Sequence, residues 1–220
     1  MFHFLLLHMF FQLLDDDLSF PNPALADDDG LLAIGGDLSL KRLLFAYSNG
    51  IFPWFSEGDP ILWYSPHQRC VIYPGEIKIS KSMRKVLKDE TFQITIDKAF
   101  ADVIKNCAAT PRDGQNGTWI TNEMQEAYIN LHKEGFAHSV EVWKNERLVG
   151  GLYGVKINRV FCGESMFSHV SNASKAALIF LSKTDIDLND CQLPNDHLMS
   201  LGAVMIQRDT FMKFINSERT

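Results

Sequence analysis

Residues 138–167, HSVEVWKNERLVGGLYGVKINRVFCGESMF, decide the fold of this 220-residue chain. The three runs SVEVW, RLVGGLYGV and RVFCGESMF are together rich in Val, Leu, Phe and Tyr, and short turns at 144–146 and 156–158 join them. Runs of this composition predict strands, and connections this short join neighbouring antiparallel strands. The stretch therefore predicts a three-stranded antiparallel meander.

Further helices and strands are predicted on both sides of the meander from apolar periodicity, caps and breakers. Before it, we expect a helix capped by Asp37 or Ser39 and ended at Gly50, a strand at 69–74, a helix at 80–89, a strand at 92–96, a helix at 97–107, and a helix capped by Asn122 with Gln125 as its N3 partner. After it, we expect a helix at about 172–183, a strand at 187–192 and a short helix at 195–202. The predicted class is α+β with a mixed, antiparallel-rich sheet.

A domain boundary is predicted near residue 68, which gives a small N-terminal domain (1–68) and a larger second domain (69–220). Residues 20–36 are rich in Pro, Asp and Gly, a composition that predicts irregular loops and turns. Residues 51–66 carry prolines and several large aromatic side chains, so we expect a rigid irregular surface there rather than a regular element.

The first fourteen residues, MFHFLLLHMFFQLL, are almost wholly apolar. They lack the Lys or Arg that precedes the apolar core of a signal peptide, and three aspartates follow instead of a cleavage site. About twenty residues are needed to span a bilayer. We therefore expect a buried or interfacial element of the first domain and no firm membrane association.

The charge balance restricts the class of partner. The chain has 21 Lys and Arg against 27 Asp and Glu, a net charge of −6. A protein that covers duplex DNA with its whole surface needs a basic footprint, so duplex DNA is not an expected partner. A net charge of −6 is compatible with a local basic patch. Four basic side chains recur at helical spacing and are called the basic ridge: Lys81, Arg84, Lys85 and Lys88. This ridge is either a phosphate contact or a solvated helix face.

No metal or redox motif is present in the sequence. Four cysteines lie far apart without the Cys-x-x-Cys spacing, so they are expected to be reduced thiols of a cytosolic chain. His132 and His138 are six residues apart across a helix end, and we expect them not to share a face. Glycine-rich phosphate loops are also absent.

Three polar clusters interrupt the apolar pattern: residues 163–165 (GES), 190–192 (DCQ) and 195–197 (NDH). A carboxylate within a buried strand is costly unless it is paired, so Glu164 and Asp190 together indicate a site. A structural salt bridge or cap is the alternative for either one alone. Strand alternation predicts Asp190 and Gln192 on one face and Cys191 on the other.

These clusters, with residues 30–37 (GLLAIGGD), 50–54 (GIFPW) and 117–120 (GTWI), resemble the leucyl/phenylalanyl-tRNA–protein transferases. The resemblance extends from about Leu14 to the last predicted helix. It implies an acetyltransferase-like second domain, no cofactor, and a cytoplasmic enzyme. The reaction it implies is transfer of Leu or Phe, and less readily Met, from charged tRNA to the N-terminal Arg or Lys of proteins, which marks those proteins for degradation.

The resemblance also implies roles for particular residues. Asp190 and Gln192 would orient the attacking amine and assist its proton loss, while Glu164 would meet the amino group of the transferred residue. The remaining implied substrate contacts are the apolar pocket (Leu152, Phe161, Leu178), the side chains around the 3′-terminal adenosine (Tyr47, Trp54, Trp119, Tyr128) and Asn195. Within this pattern Asn189 is a departure, because an apolar residue is expected before Asp190.

Two other classes compete with this interpretation. A coenzyme A-dependent N-acyltransferase would share the fold, but residues 169–174 (HVSNAS) contain no glycine for a pyrophosphate-binding turn. A non-enzymatic binder of RNA ends or basic N-termini would have lost its catalytic centre, whereas Glu164, Asp190 and Gln192 are all present.

Overall fold

The computed structural model describes residues 12–14, 18–111 and 118–217. The strands in chain order are β1 Gln12–Leu14, β2 Leu31–Gly35, β3 Phe52–Pro53, β4 Leu62–Tyr64, β5 Gln68–Ile72, β6 Gln93–Ile96, β7 Ala137–Lys144, β8 Arg147–Ile157, β9 Val160–Ser168, β10 Leu188–Gln192 and β11 Val204–Gln207. The α-helices are α1 Leu40–Ser48, α2 Lys81–Lys88, α3 Phe100–Ala109, α4 Asn122–Lys133, α5 Ala173–Leu181, α6 Asp196–Ser200 and α7 Arg208–Ile215.

The strands form two sheets. The larger sheet has the order β11-β5-β10-β9-β8-β7-β6, and the smaller sheet has the order β1-β2-β4-β3. Strands β7, β8 and β9 pair in antiparallel register, so the predicted meander is confirmed. Strand β10 runs parallel to β9 and antiparallel to β5, which makes the larger sheet mixed. The predicted α+β class with a mixed, antiparallel-rich sheet is confirmed.

Helix α5 packs closely on the meander because the residues in contact, Gly150 and Ala173, have small side chains or none. A Cβ atom added at Gly150 in β8 would lie 2.5 Å from the Cβ of Ala173, so only glycine allows this approach. Ala173 and Ala177 are fully buried and share a core cluster with Val140 and Leu152 of the meander. This packing places Leu178, further along α5, at the wall of the cavity described below.

A shared hydrophobic core connects the two sheets. Its buried members include Leu43 and Trp63 from the N-terminal part and Val71, Tyr153 and Phe211 from the larger part. The described strands of the smaller sheet end at Tyr64, and those of the larger sheet begin at Gln68. The predicted division into two domains near residue 68 stays a prediction.

Two loop predictions in the N-terminal part were wrong. Residues 20–36 contain strand β2, and residues 51–66 contain β3 and β4. Trp63 is completely buried, because large aromatic side chains gain more free energy inside the core than on a surface. Pro53 is compatible with a strand since β3 is the edge of its sheet, where a missing N–H group costs little.

The predicted cap of helix α4 was also wrong. Thr121, and not Asn122, is the N-cap: its side chain accepts a hydrogen bond from the backbone N–H of Met124 at 3.2 Å. Ser39 caps α1 as expected. The C-terminal strand β11 and helix α7 were not predicted, although Phe211 of α7 is fully buried.

The apolar N-terminus lies mostly outside the described residues. Its last three residues form β1, which pairs in parallel with β2 and so belongs to the smaller sheet. Among the described residues, no helix combines the length and the apolar character needed to cross a membrane.

Candidate active site

A cavity opens where strands β9 and β10 separate. The two strands pair in parallel only over Leu188–Asp190 and Val160–Cys162, and β9 then continues alongside β8 alone. The cavity has a volume of about 1030 Å³. Its lining includes residues 163–166 of β9, 191–193 at the end of β10 and 195–198 just after it, so all three predicted polar clusters contribute to this opening.

The end of β10 is irregular at the residues that face the cavity. The pairing register with β5 shifts between Asp190 and Gln192, and Gln192 has a φ of +62°. The Asp190 carboxylate stabilises this conformation, because its Oδ1 accepts the backbone N–H of Gln192 at 2.9 Å. The prediction from strand alternation was wrong: Cys191 and Gln192 both line the cavity, whereas Asp190 is fully buried.

Asp190 forms a buried ion pair with Arg69 of β5. The guanidinium donates through Nε to Oδ1 at 3.2 Å and through Nη2 to Oδ2, and its Nη1 donates to the Gly50 carbonyl at 3.0 Å. The aromatic rings of Phe52 and Phe211 lie on it, with centroids 4.8 and 4.6 Å from Cζ. A pair held this completely keeps Asp190 in place and leaves it no surface for direct contact with a substrate.

Glu164 is the carboxylate that faces the cavity. Its Oε1 accepts hydrogen bonds from the Tyr47 hydroxyl at 2.7 Å and from Nε2 of Gln192 at 2.8 Å, and its Oε2 accepts one from the Tyr128 hydroxyl at 3.2 Å. Burial raises the pKa of Glu164 to about 7, although the hydroxyl and amide donors oppose the rise. Near neutral pH this carboxyl group can therefore either accept a proton or bind a cationic amine.

The apolar part of the cavity contains the three residues predicted for it. Leu152, Phe161 and Leu178 line it and are 2–3% exposed. Further apolar side chains of the same wall are Met166, Leu181 and Leu198. Glu164 and Gln192 line the same cavity, so the structure brings a polar and an apolar surface together.

The four aromatic residues predicted for adenosine binding divide into two pairs. Trp54 and Trp119 line the cavity and are partly exposed. Tyr47 and Tyr128 are at most 1% exposed, contact each other through their hydroxyl groups, and hydrogen-bond to Glu164. Stacking of a base on these two rings does not fit this arrangement, because the core covers both, and their hydroxyl groups are directed at Glu164 instead.

Asn195 lines the cavity as predicted, but its side chain also has a structural partner. Its Oδ1 accepts the backbone N–H of Leu198 at 2.9 Å and so caps helix α6. A contact between Asn195 and a substrate would therefore use Nδ2, the other polar atom of its carboxamide.

The basic ridge lies on helix α2. Its four side chains are exposed, and Met83 on the opposite side of the helix is buried. Ser80 caps the helix by accepting the backbone N–H of Met83 at 3.2 Å. The ridge is thus a continuous basic surface, as its spacing predicted.

The structure corrects one expectation about the histidines. His138 and His132 both face Asp97, with Nδ1–Oδ distances of 2.7 and 3.8 Å. The chain reverses between helix α4 and strand β7, which brings both rings to the same carboxylate. Among the described residues, no group of three or more His, Cys, Asp or Glu side chains could hold a metal ion.

Two residues of the site were not predicted from the sequence: Arg69, the partner of Asp190, and Asn189, which lines the cavity. Arg69 precedes the buried apolar residues 70–72, and a cation in such a strand requires a partner by the argument applied to Glu164 and Asp190. Asn189 was noticed only as a departure from a family pattern, yet it lines the cavity.

The family profiles and the relatives found by sequence agree on one family. The family profile described as leucyl/phenylalanyl-tRNA protein transferase matches residues 71–216, and the profile of the N-terminal domain of that family matches residues 36–67. A leucyl/phenylalanyl-tRNA–protein transferase of Flavobacterium psychrophilum is 57% identical over 206 residues, which cover 92% of this chain and 98% of the relative. One from Shewanella baltica is 56% identical over 207 residues, which cover 91% and 87%.

Similar solved structures are more distant. A GCN5-related N-acetyltransferase from Kribbella flavida has 9% identity and a TM-score of 0.38, and the match covers 73% of this chain and 58% of that one. A likeness of this degree supports no conclusion about function.

These matches define an enzyme that transfers aminoacyl groups from tRNA to proteins. The chain belongs to the leucyl/phenylalanyl-tRNA–protein transferase family. The resemblance drawn from its sequence blocks is thereby confirmed.

Proposed function

We propose that this enzyme moves Leu or Phe, and less readily Met, from charged tRNA to the N-terminal Arg or Lys of proteins and so marks them for degradation. The observation that supports this most directly is the cavity in which Glu164 and Gln192 adjoin the apolar wall of Leu152, Phe161 and Leu178. A cytoplasmic location is proposed with it and agrees with the four free cysteines.

The apolar wall suits the side chain of the transferred residue. Such a pocket discriminates by only about 1–3 kcal/mol per methylene group, so several apolar side chains of similar size are accepted. Glu164, held between Tyr47, Tyr128 and Gln192, receives the amino group of that residue. The apolar wall thus holds the side chain of the transferred residue, and Glu164 holds its amino group, so the ester is fixed in position.

Positioning, rather than a nucleophilic side chain, supplies most of the rate in this proposal. The ester is already activated, and the acceptor α-amine has an ordinary pKa of about 7.7–8.0, so its deprotonation near pH 7 costs only about 1–1.5 kcal/mol. Holding amine and ester together supplies on the order of 7–11 kcal/mol. The amine nitrogen attacks the ester carbonyl, an amide bond forms, and the ribose hydroxyl leaves with the proton lost from the amine.

Gln192 is proposed to orient the attacking amine by accepting an N–H through its side-chain oxygen. Its other amide atom, Nε2, is already directed at Glu164, which fixes the plane of the group. Asp190 acts through Gln192 as a positioning residue, because it is buried, paired with Arg69 and bonded to the Gln192 backbone. This modifies the expectation that Asp190 meets the amine directly.

Recognition of the tRNA is assigned to two surfaces. Trp54 and Trp119 are proposed to hold the 3′-terminal adenosine, since stacking on an aromatic ring contributes about 1–3 kcal/mol whatever the rest of the tRNA. The basic ridge is proposed to meet phosphates of the acceptor stem, which reconciles tRNA binding with a net charge of −6.

The test is a transfer assay with labelled Leu and Phe on tRNA and with peptides that begin with Arg, Lys or Ala but are otherwise identical. We expect transfer to the Arg and Lys peptides and little to the Ala peptide. Equal transfer to all three peptides would contradict the acceptor rule, and no transfer to any of them would contradict the proposed reaction.

A further inference from the structure

Asn189 is a polar side chain set among apolar ones in the wall of the cavity. On strand β10 it pairs with Phe161 of β9 on one side and with Ile72 of β5 on the other, and both of these side chains are buried. Leu178 and Leu181 of helix α5 line the same cavity. The residue is 5% exposed, so its carboxamide is almost entirely removed from bulk water.

The hydrogen-bonding capacity of this carboxamide is not satisfied within the described part of the chain. Its Oδ1 is buried and has no hydrogen-bond partner there. Its Nδ2 has only a long contact, 3.9 Å, with Sγ of Cys191. Buried polar groups in native proteins nearly always have partners, so an unpaired oxygen at a ligand cavity indicates a partner that the ligand brings.

Gly163 leaves this oxygen uncovered on one side. Gly163 lines the cavity, and a Cβ atom at that position would lie 3.5 Å from Oδ1 of Asn189, in van der Waals contact. Because glycine has no Cβ, a ligand atom can occupy this position next to Oδ1 of Asn189. Ser165 lines the cavity farther along the same strand.

We propose that Asn189 extends the acyl specificity of this enzyme to aromatic residues that carry a terminal hydrogen-bond donor, with Tyr as the representative. The inference rests on the proposed function, because it takes this wall to be the pocket for the transferred side chain. Phe and Tyr have the same ring and differ by one hydroxyl group. An apolar pocket rejects an added hydroxyl by roughly 100-fold, whereas a pocket that offers an acceptor does not. The Asn189 carboxamide is the acceptor that the Tyr hydroxyl would meet.

The test compares binding and transfer in the wild-type enzyme and in Asn189→Leu, which has a similar volume and no polar atoms. Binding is measured by calorimetry with two non-hydrolysable probes, adenosine carrying Phe or Tyr through a 3′-amide. Transfer is measured with one tRNA species charged with either Phe or Tyr, so that all tRNA contacts are identical. A third variant, Asn189→Asp, keeps the shape but is a stronger acceptor.

We expect the wild-type enzyme to favour Phe over Tyr by less than about tenfold, and Asn189→Leu to favour Phe by roughly 100-fold. Asn189→Asp should still bind the Tyr probe, because its carboxylate accepts a hydrogen bond from the Tyr hydroxyl. An equal Phe-to-Tyr ratio in the wild-type enzyme and Asn189→Leu, in binding and in transfer, would overturn the inference. Transfer of Phe with an unchanged ratio would leave the proposed function standing, while absence of all transfer would count against that function separately.

Discussion

Replacing Glu164 by Gln should make the protein more stable at alkaline pH while it abolishes the transfer reaction. Burial raises the pKa of Glu164 from 4.5 to about 7, so the folded protein holds a proton that the unfolded chain has released over this pH range. A change of this size corresponds to about 3 kcal/mol of lost stability once the pH exceeds 7. Glutamine has the same shape, stays neutral, and keeps an oxygen for the Tyr47 and Gln192 donors.

The direction of the pH dependence follows from the raised pKa. Wild-type stability should fall relative to Glu164→Gln as the pH rises from 4.5 to 7, and the two proteins should be equally stable below pH 4.5. Urea unfolding at a series of pH values measures the difference directly. A gap between the two proteins that is the same at pH 4 and pH 8 would refute the assignment of a raised pKa to this carboxyl group.

Three further predictions follow from the ion pair, the aromatic contacts and the basic ridge. Arg69→Met should destabilise the protein by about 3–5 kcal/mol because Asp190 is left buried without its partner, and the double variant Arg69→Met, Asp190→Leu should recover most of that loss in urea unfolding without recovering transfer. Trp119→Ala should raise the KM for every charged tRNA alike, and a rise confined to one tRNA species would exclude the stacking account. Neutralising the basic ridge should reduce the dependence of log Kd on log salt by about 0.9 for each phosphate that the ridge no longer neutralises. The exposed pair Lys144 and Arg147 is the matched control, and an equal effect from its neutralisation would mean that the ridge has no special role.

Much of the larger sheet could be predicted because its signals are local. The meander has apolar runs with short turns, and the turn residues Asn145 and Asn158 adopt the positive φ values of 50° and 52° that asparagine tolerates. The smaller sheet was missed because its strands are two to five residues long and contain Pro and Gly, so their pairing is decided by distant partners.

The candidate site could be predicted only in part. Glu164 was identifiable because a carboxylate in a buried strand requires a reason, and the cavity wall followed from family resemblance. The orientation of Asp190 was not predictable: alternation holds only in a regular strand, and the register shift at Gln192 arises from pairing with β5. The roles of Tyr47 and Tyr128 depend on contacts across 117 and 36 residues of sequence, which no local pattern encodes.

The central claim is that Gln192, held by Asp190 and directed at Glu164, positions the reacting amine. Gln192→Asn tests it most directly, because asparagine tolerates the left-handed conformation of this residue but its shorter side chain no longer reaches Glu164. Single-turnover transfer of Phe to an Arg peptide should fall by roughly 100-fold, while Kd for charged tRNA stays within about threefold of the wild-type value. Transfer at the wild-type rate by a folded Gln192→Asn protein would contradict the account.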